Sequence, residues 1–144
     1  MTGAVQPADW TPVRPSGFTR LVGPILVRHD GALPRFGFRV EDKHDNTEDR
    51  AHGGMVMAFC DEALGLTAKA VLPEARMLTI SFECQFIDAA KMGDFVEVDA
   101  EVVRSTRSLV FMRGTCHAAG RIIATCSGVW KIVHARPALP EAAA

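Results

Sequence analysis

The sequence predicts an α+β fold in which an antiparallel sheet packs against one long apolar helix, and three observations predict it. Residues 53–72 are apolar nearly all round, with only Asp61, Glu62 and Lys69 charged, and Pro73 stops the segment. Such a helix must be surrounded by protein or lipid, and two adjacent carboxylates make lipid the costly choice. Downstream, apolar and polar residues alternate with the period of two that marks a half-buried strand. Finally, 144 residues at 48% hydrophobic and 23% charged suit a single globular domain with an ordinary core.

Taken in order, residues 1–20 carry Pro7, Pro12 and Pro15 with little periodicity and read as an N-terminal arm. Short strands are expected over 23–28 and 36–40, followed by an acidic loop containing Glu41, Asp42, Asp45, Glu48 and Asp49. After the helix, residues 79–87 alternate strictly, with Ile80, Phe82, Cys84 and Phe86 on one face and Thr79, Ser81, Glu83 and Gln85 on the other. Met92-Gly93-Asp94 turns the chain into a strand over 95–103, where Val96, Val98, Ala100 and Val102 oppose Glu97, Asp99 and Glu101. Strands over 109–118 and 122–133 are joined by a hairpin at Ala119-Gly120. The strands after the helix read as a meander within a domain spanning 21–134, and 135–144 as a tail. One helix cannot cover both faces of such a sheet, and its edges need partners; a homodimer or a dimer of dimers solves both problems.

Charge and cysteine usage narrow the function. Sixteen Lys and Arg against 17 Asp and Glu leave a net charge of −1, which argues against a general nucleic-acid binder. Cys60, Cys84, Cys116 and Cys126 lack paired ligand spacing, so reduced thiols are expected rather than a structural metal site or a disulfide framework. No apolar run in residues 1–15 suggests a secretory leader, and a cytoplasmic protein without membrane attachment is expected.

Three features carry chemistry. Asp61 sits in the apolar helix, where an ionised carboxylate costs several kcal/mol unless it is paired or its pKa rises. It is either a catalytic base or nucleophile, or an acid satisfied in a subunit interface; Glu62 is a rival about 100° round the helix. His52-Gly53-Gly54 opens the helix without Cβ atoms at two positions, so a ligand can approach the free N–H groups and the positive dipole end, or the helix can simply enter a crowded sheet. Residues 102–140 contain no acid but hold Arg104, Arg107, Arg113, Arg121, Lys131 and Arg136, which suits either a phosphate-bearing ligand or solvated strand faces.

Together these residues resemble the hotdog-fold acyl-CoA thioesterase superfamily, in its phenylacetyl-CoA thioesterase-like branch. The branch carries an Asn, then His-Gly-Gly six residues on, then an acid nine beyond the His; Asn46, His52-Gly53-Gly54 and Asp61 match. Asp49 stands where the branch often has Gly, and Asp tolerates the left-handed backbone such a turn requires. The resemblance implies a hotdog fold, a sheet wrapped around the central helix, and hydrolysis of an acyl-CoA thioester without cofactor or metal. It implies that the Gly53 N–H polarises the thioester carbonyl and that Asp61, from the other subunit, attacks it or activates water. Asn46 and His52 would share the pocket, and Thr79 would sit beside the acid. Arg104, Arg107 and Ser108 would be the candidates for holding coenzyme A. The competing readings are a hotdog-fold hydratase or dehydratase, whose His–acid spacing fits less well, and a non-catalytic acyl-CoA-binding dimer, for which a buried acid has no use.

Overall fold

The computed structural model describes residues 8–133. Its elements run β1 (Thr11–Pro12), α1 (Gly17–Val22), β2 (Leu26–Arg28), β3 (Arg35–Arg39), a 3-10 turn (Asp42–His44), α2 (Gly53–Val71), β4 (Arg76–Phe86), β5 (Phe95–Ser105), β6 (Leu109–Ala118) and β7 (Arg121–Val133). The long helix and the later strands stand where periodicity predicted them. The expected tail at 135–144 and Arg136 lie outside the described residues.

Seven strands form one sheet in the order β1-β2-β3-β5-β6-β7-β4, and every neighbouring pair is antiparallel. The strands are therefore not a simple meander. β3 occupies one side of β5 and β6 the other, so β4 joins the sheet beyond β7 at its far edge. The crossing segment 87–94 is held by Arg121, which donates to the Ala89 carbonyl at 2.7 Å and pairs with Asp94 at 2.6 Å. The hairpin at Ala119-Gly120 has φ of 49° and 74°, the two positive values of a tight turn matched to strand twist.

Phe59, Cys60, Ala63 and Leu64 of α2 are fully buried against the sheet, with Phe38, Val96, Val98 and Met112 among the core. The opposite stripe of the helix, including Met57, Asp61, Glu62, Gly65 and Lys69, is at least partly open. The helix is thus enclosed on one side only in a single chain, although its composition is apolar all round.

The segment expected as a loose arm is docked in its described part. Trp10 is buried edge-on against Phe95 with ring centroids 5.0 Å apart, and the Arg28 guanidinium lies 5.0 Å above its ring. Strand β1 is two residues long, too short for any periodic signal.

The acidic loop conceals a buried histidine. His44 Nδ1 accepts from the Glu41 N–H at 2.9 Å, so the Nε2–H of the neutral ring donates to the Val22 carbonyl at 2.6 Å. The His44 carbonyl accepts from the His52 N–H at 2.7 Å and so anchors the entry to α2. His44→Ala leaves two backbone groups unpaired and is expected to lower unfolding free energy by about 3 kcal/mol, read by urea denaturation. A loss below about 1 kcal/mol would show that water replaces the ring.

Candidate active site

The amino end of α2 is built by its own loop. His52 is the N-cap, and its Nδ1 accepts from the Gly54 N–H at 2.9 Å. Its carbonyl takes the N–H groups of Met55 and Val56 at 2.9 and 3.2 Å, and no described residue accepts from the Gly53 N–H. Asp49 holds a left-handed φ of 57°, as the Asp-for-Gly exchange required. The Ala51 N–H donates to the Ala90 carbonyl at 2.8 Å, which ties this loop to the crossing segment.

Asn46 and Gly53 share a cavity of about 420 Å³ with Arg50, Phe86, Ile87 and Asp88. The Asn46 Oδ1 accepts from the Glu48 N–H at 3.0 Å, which fixes the side chain within its turn. His52 is exposed and does not line this cavity; its ring caps the helix.

Asp61 belongs to a different cavity of about 430 Å³, with Glu62, Lys69, Arg76, Thr79 and Trp130 among its walls. The Thr79 hydroxyl donates to Asp61 Oδ1 at 2.8 Å. The sequence put Thr79 on the face opposite Phe82, but a register shift between Thr79 and Ser81 makes Ile80 an extra residue. That bulge breaks the alternation and turns Thr79 toward the helix, while Ile80 is 57% exposed.

Asp61 is half-buried, not fully enclosed. The carboxyl pushed up is the rival Glu62, first by burial and then by the Asp61 charge beside it. Gly53 and Asp61 are eight residues apart on one helix, roughly 12 Å along its axis, and line separate cavities. Within one chain the structure therefore brings Asn46 to Gly53 and Thr79 to Asp61, but does not join the two pairs.

The acid-free stretch is less cationic in space than in sequence. Arg113 forms a two-pronged pair with Glu101 at 2.9 and 3.0 Å, and Arg121 pairs with Asp88 and Asp94. Arg107 lines a third cavity of about 590 Å³ at the carboxyl end of α2, which shares Ala75 and Arg76 with the Asp61 cavity. Arg104 and Ser108 are exposed and line neither. Arg76 is the cation that sequence reasoning missed. It carries no motif, and only folding brings the start of β4 beside the 105–107 turn.

The geometry defines an α+β fold whose one long helix carries a carboxylate midway and an open amide donor at its amino end. Residues 49–124 match the model of the thioesterase superfamily. The protein named "Putative esterase PA0474" of Pseudomonas aeruginosa is 30% identical over 121 residues, covering 83% of this chain and 90% of that one. Thioesterase superfamily member 2 of zebra fish superposes with a TM-score of 0.74 at 22% identity, over 81% of this chain and 87% of the fish chain. A mutant of the phenylacetic acid degradation protein PaaI from Thermus thermophilus gives 0.71 at 21% identity, over 81% and 98%. The chain belongs to the thioesterase superfamily and has the hotdog fold. That membership supports thioester hydrolysis as its general chemistry. No helix among the described residues is long and apolar enough to cross a membrane.

Proposed function

We propose that this protein hydrolyses an acyl-CoA thioester to a free carboxylic acid and coenzyme A, at a site completed by two copies of the chain. The observation that carries the reading is the separation of the two working groups. One helix presents an unpartnered Gly53 N–H at its amino end and a Thr79-bonded Asp61 two turns later, in separate cavities. An antiparallel second copy would set one copy's Asp61 against the other's Gly53.

The surface supports such a pairing. β4 is an 11-residue strand at the edge of the sheet, with one side of its backbone unpaired among the described residues, and Leu78, Ile80 and Phe86 on it are 62, 57 and 55% exposed. The open stripe of α2 runs beside it and includes Met57. Pairing two β4 strands would continue the sheet and cover both features.

In this reading the Gly53 N–H stabilises the oxyanion that forms as the thioester carbonyl is attacked. Asp61 either takes a proton from the attacking water or attacks first and is then released by water; both routes yield the carboxylic acid and the thiol. Thr79 holds the carboxylate in place, and Asn46 orients water or the acyl carbonyl. No cofactor beyond the coenzyme A of the substrate is invoked. Arg107, with Arg76 rather than Arg104 or Ser108, faces the cavity suited to the phosphates. The four free cysteines support a cytoplasmic setting.

The test is release of free thiol from a panel of aryl- and alkyl-CoA esters; if no member of the panel yields coenzyme A, the reading fails. Arg76→Ala and Arg107→Ala are each expected to raise KM for CoA esters about ten-fold and leave N-acetylcysteamine esters unchanged. Equal effects on both ester types would remove these arginines from phosphate recognition.

A further inference from the structure

The cavity beside Gly53 holds a cation that thioester hydrolysis does not call for. Val56, Phe86, Ile87 and Ile123 give it apolar walls that suit a chain of methylene groups. Arg50 also lines it, three residues before Gly53. Lys91 stands opposite Arg50 in an antiparallel bridge, so the two side chains leave the backbone on the same face. Both residues are exposed, and neither side chain makes a hydrogen bond or ion pair among the described residues. Glu48 and Asp49 precede Arg50 in the loop without pairing with it. The acid of the cavity wall, Asp88, is already engaged: its carboxylate accepts from the Ala89 N–H at 2.7 Å and pairs with Arg121 at 3.4 Å. The Ala89 bond first, then Arg121 and Lys91, hold that carboxyl below the usual carboxylate range.

A guanidinium in this place is a cost to a plain alkyl or aryl group. Such a group would cover the charge and strip its water without offering an acceptor. A carboxylate at the far end of the acyl group would offer two oxygens, in the planar geometry that paired guanidinium N–H groups meet. The direction of the chain follows from the two-copy site proposed above, on which this assignment rests. There the thioester carbonyl lies at the Gly53 N–H. Coenzyme A leaves toward the cavity of Arg76 and Arg107, which adjoins Asp61 in the opposite copy. The cavity of Asn46, Arg50 and Gly53 is left for the acyl group.

We propose that the preferred substrates are CoA thioesters of short dicarboxylic acids, whose far carboxylate is held by Arg50 with the Lys91 charge beside it. The methylene groups between the two ends run along Phe86 and Ile87. Arg50 is then a specificity-determining residue: it reads the acyl group and takes no part in breaking the thioester bond.

The test compares adipyl- with hexanoyl-CoA and glutaryl- with pentanoyl-CoA, pairs matched in chain length, by thiol release from the full-length protein. Wild type is expected to favour the dicarboxylic member of each pair by at least about ten-fold in kcat/KM. Arg50→Ala should lower that ratio about ten-fold, and Lys91→Ala about three-fold, because an ammonium supplies charge without paired donors. The same ratios are expected with N-acetylcysteamine esters, which carry no phosphate. A wild-type preference for hexanoyl-CoA, or a ratio that Arg50→Ala leaves unchanged, would overturn the proposal. So would an equal loss on both CoA esters with N-acetylcysteamine esters spared, since that places Arg50 on the phosphates. Binding is read separately by calorimetry, with non-hydrolysable CoA thioethers bearing a carboxypentyl or a hexyl chain. The carboxypentyl thioether should bind about ten-fold tighter, an advantage lost in Arg50→Ala; equal binding of the two would overturn the assignment. If no ester of either kind is turned over, the thioesterase reading fails by itself, and the thioethers still decide what Arg50 recognises.

Discussion

Asp61→Asn is expected to lower kcat for acyl-CoA hydrolysis by about 10³-fold or more while leaving the fold and self-association intact. The amide has the shape of the carboxylate, and its oxygen can still accept from the Thr79 hydroxyl, which donates to Asp61 at 2.8 Å. The exchange therefore removes the charge and the basic or nucleophilic oxygen with little change in packing. An acid that only joins subunits would behave oppositely: its replacement would shift the association equilibrium and spare turnover. The deciding measurement is kcat by thiol release, beside size-exclusion chromatography and circular dichroism. Full turnover in a folded Asp61→Asn protein removes the aspartate from the mechanism.

Gly53→Pro is expected to lower kcat by about 10²- to 10³-fold, the usual cost of losing one oxyanion donor. Proline deletes the N–H that no described residue uses, at the first helical position, where proline is well accommodated. His52 has φ of −55° and ψ of 136°, which is the backbone a residue before proline adopts. A Cβ at position 53 would lie 3.3 Å from the Phe86 ring, which need shift only slightly to admit it. The two variants also test the shared site together. In a mixed dimer both lesions fall in one site and the other site is intact. Random mixing of the two inactive proteins should then recover about one quarter of wild-type activity. Mixed dimers that stay inactive would mean that each chain uses its own Asp61 and Gly53.

Much of the architecture was readable because its signals are local. The helix over 53–71 announces itself by an apolar run closed by Pro73, and β5 to β7 by alternation punctuated at Met92-Gly93-Asp94 and Ala119-Gly120. The Asn46, His52-Gly53-Gly54 and Asp61 spacing was readable for the same reason, since loop and helix are continuous in sequence. The partner of Asp61 was harder. Thr79 lies at the expected place in the chain, but strict alternation turns it away from Phe82's face, and only the extra residue at Ile80 restores it. His44 was missed because a charged loop hides one side chain whose bonds reach back 22 residues to Val22.

Local sequence signals specify an α+β fold with the adjacent carboxylates Asp61 and Glu62 on an apolar helix and an open glycine pair at that helix's start. These follow from periodicity, helix capping and spacing, each of which is set within a few residues. Folding alone sets the strand order and brings distant acids to neutralise Arg113 and Arg121. It also raises the pKa of Glu62 and places Arg76 beside Arg107. The physical reason is common to all of them. Strand pairing and burial depend on contacts between residues far apart in the chain, and no local pattern encodes which of them meet.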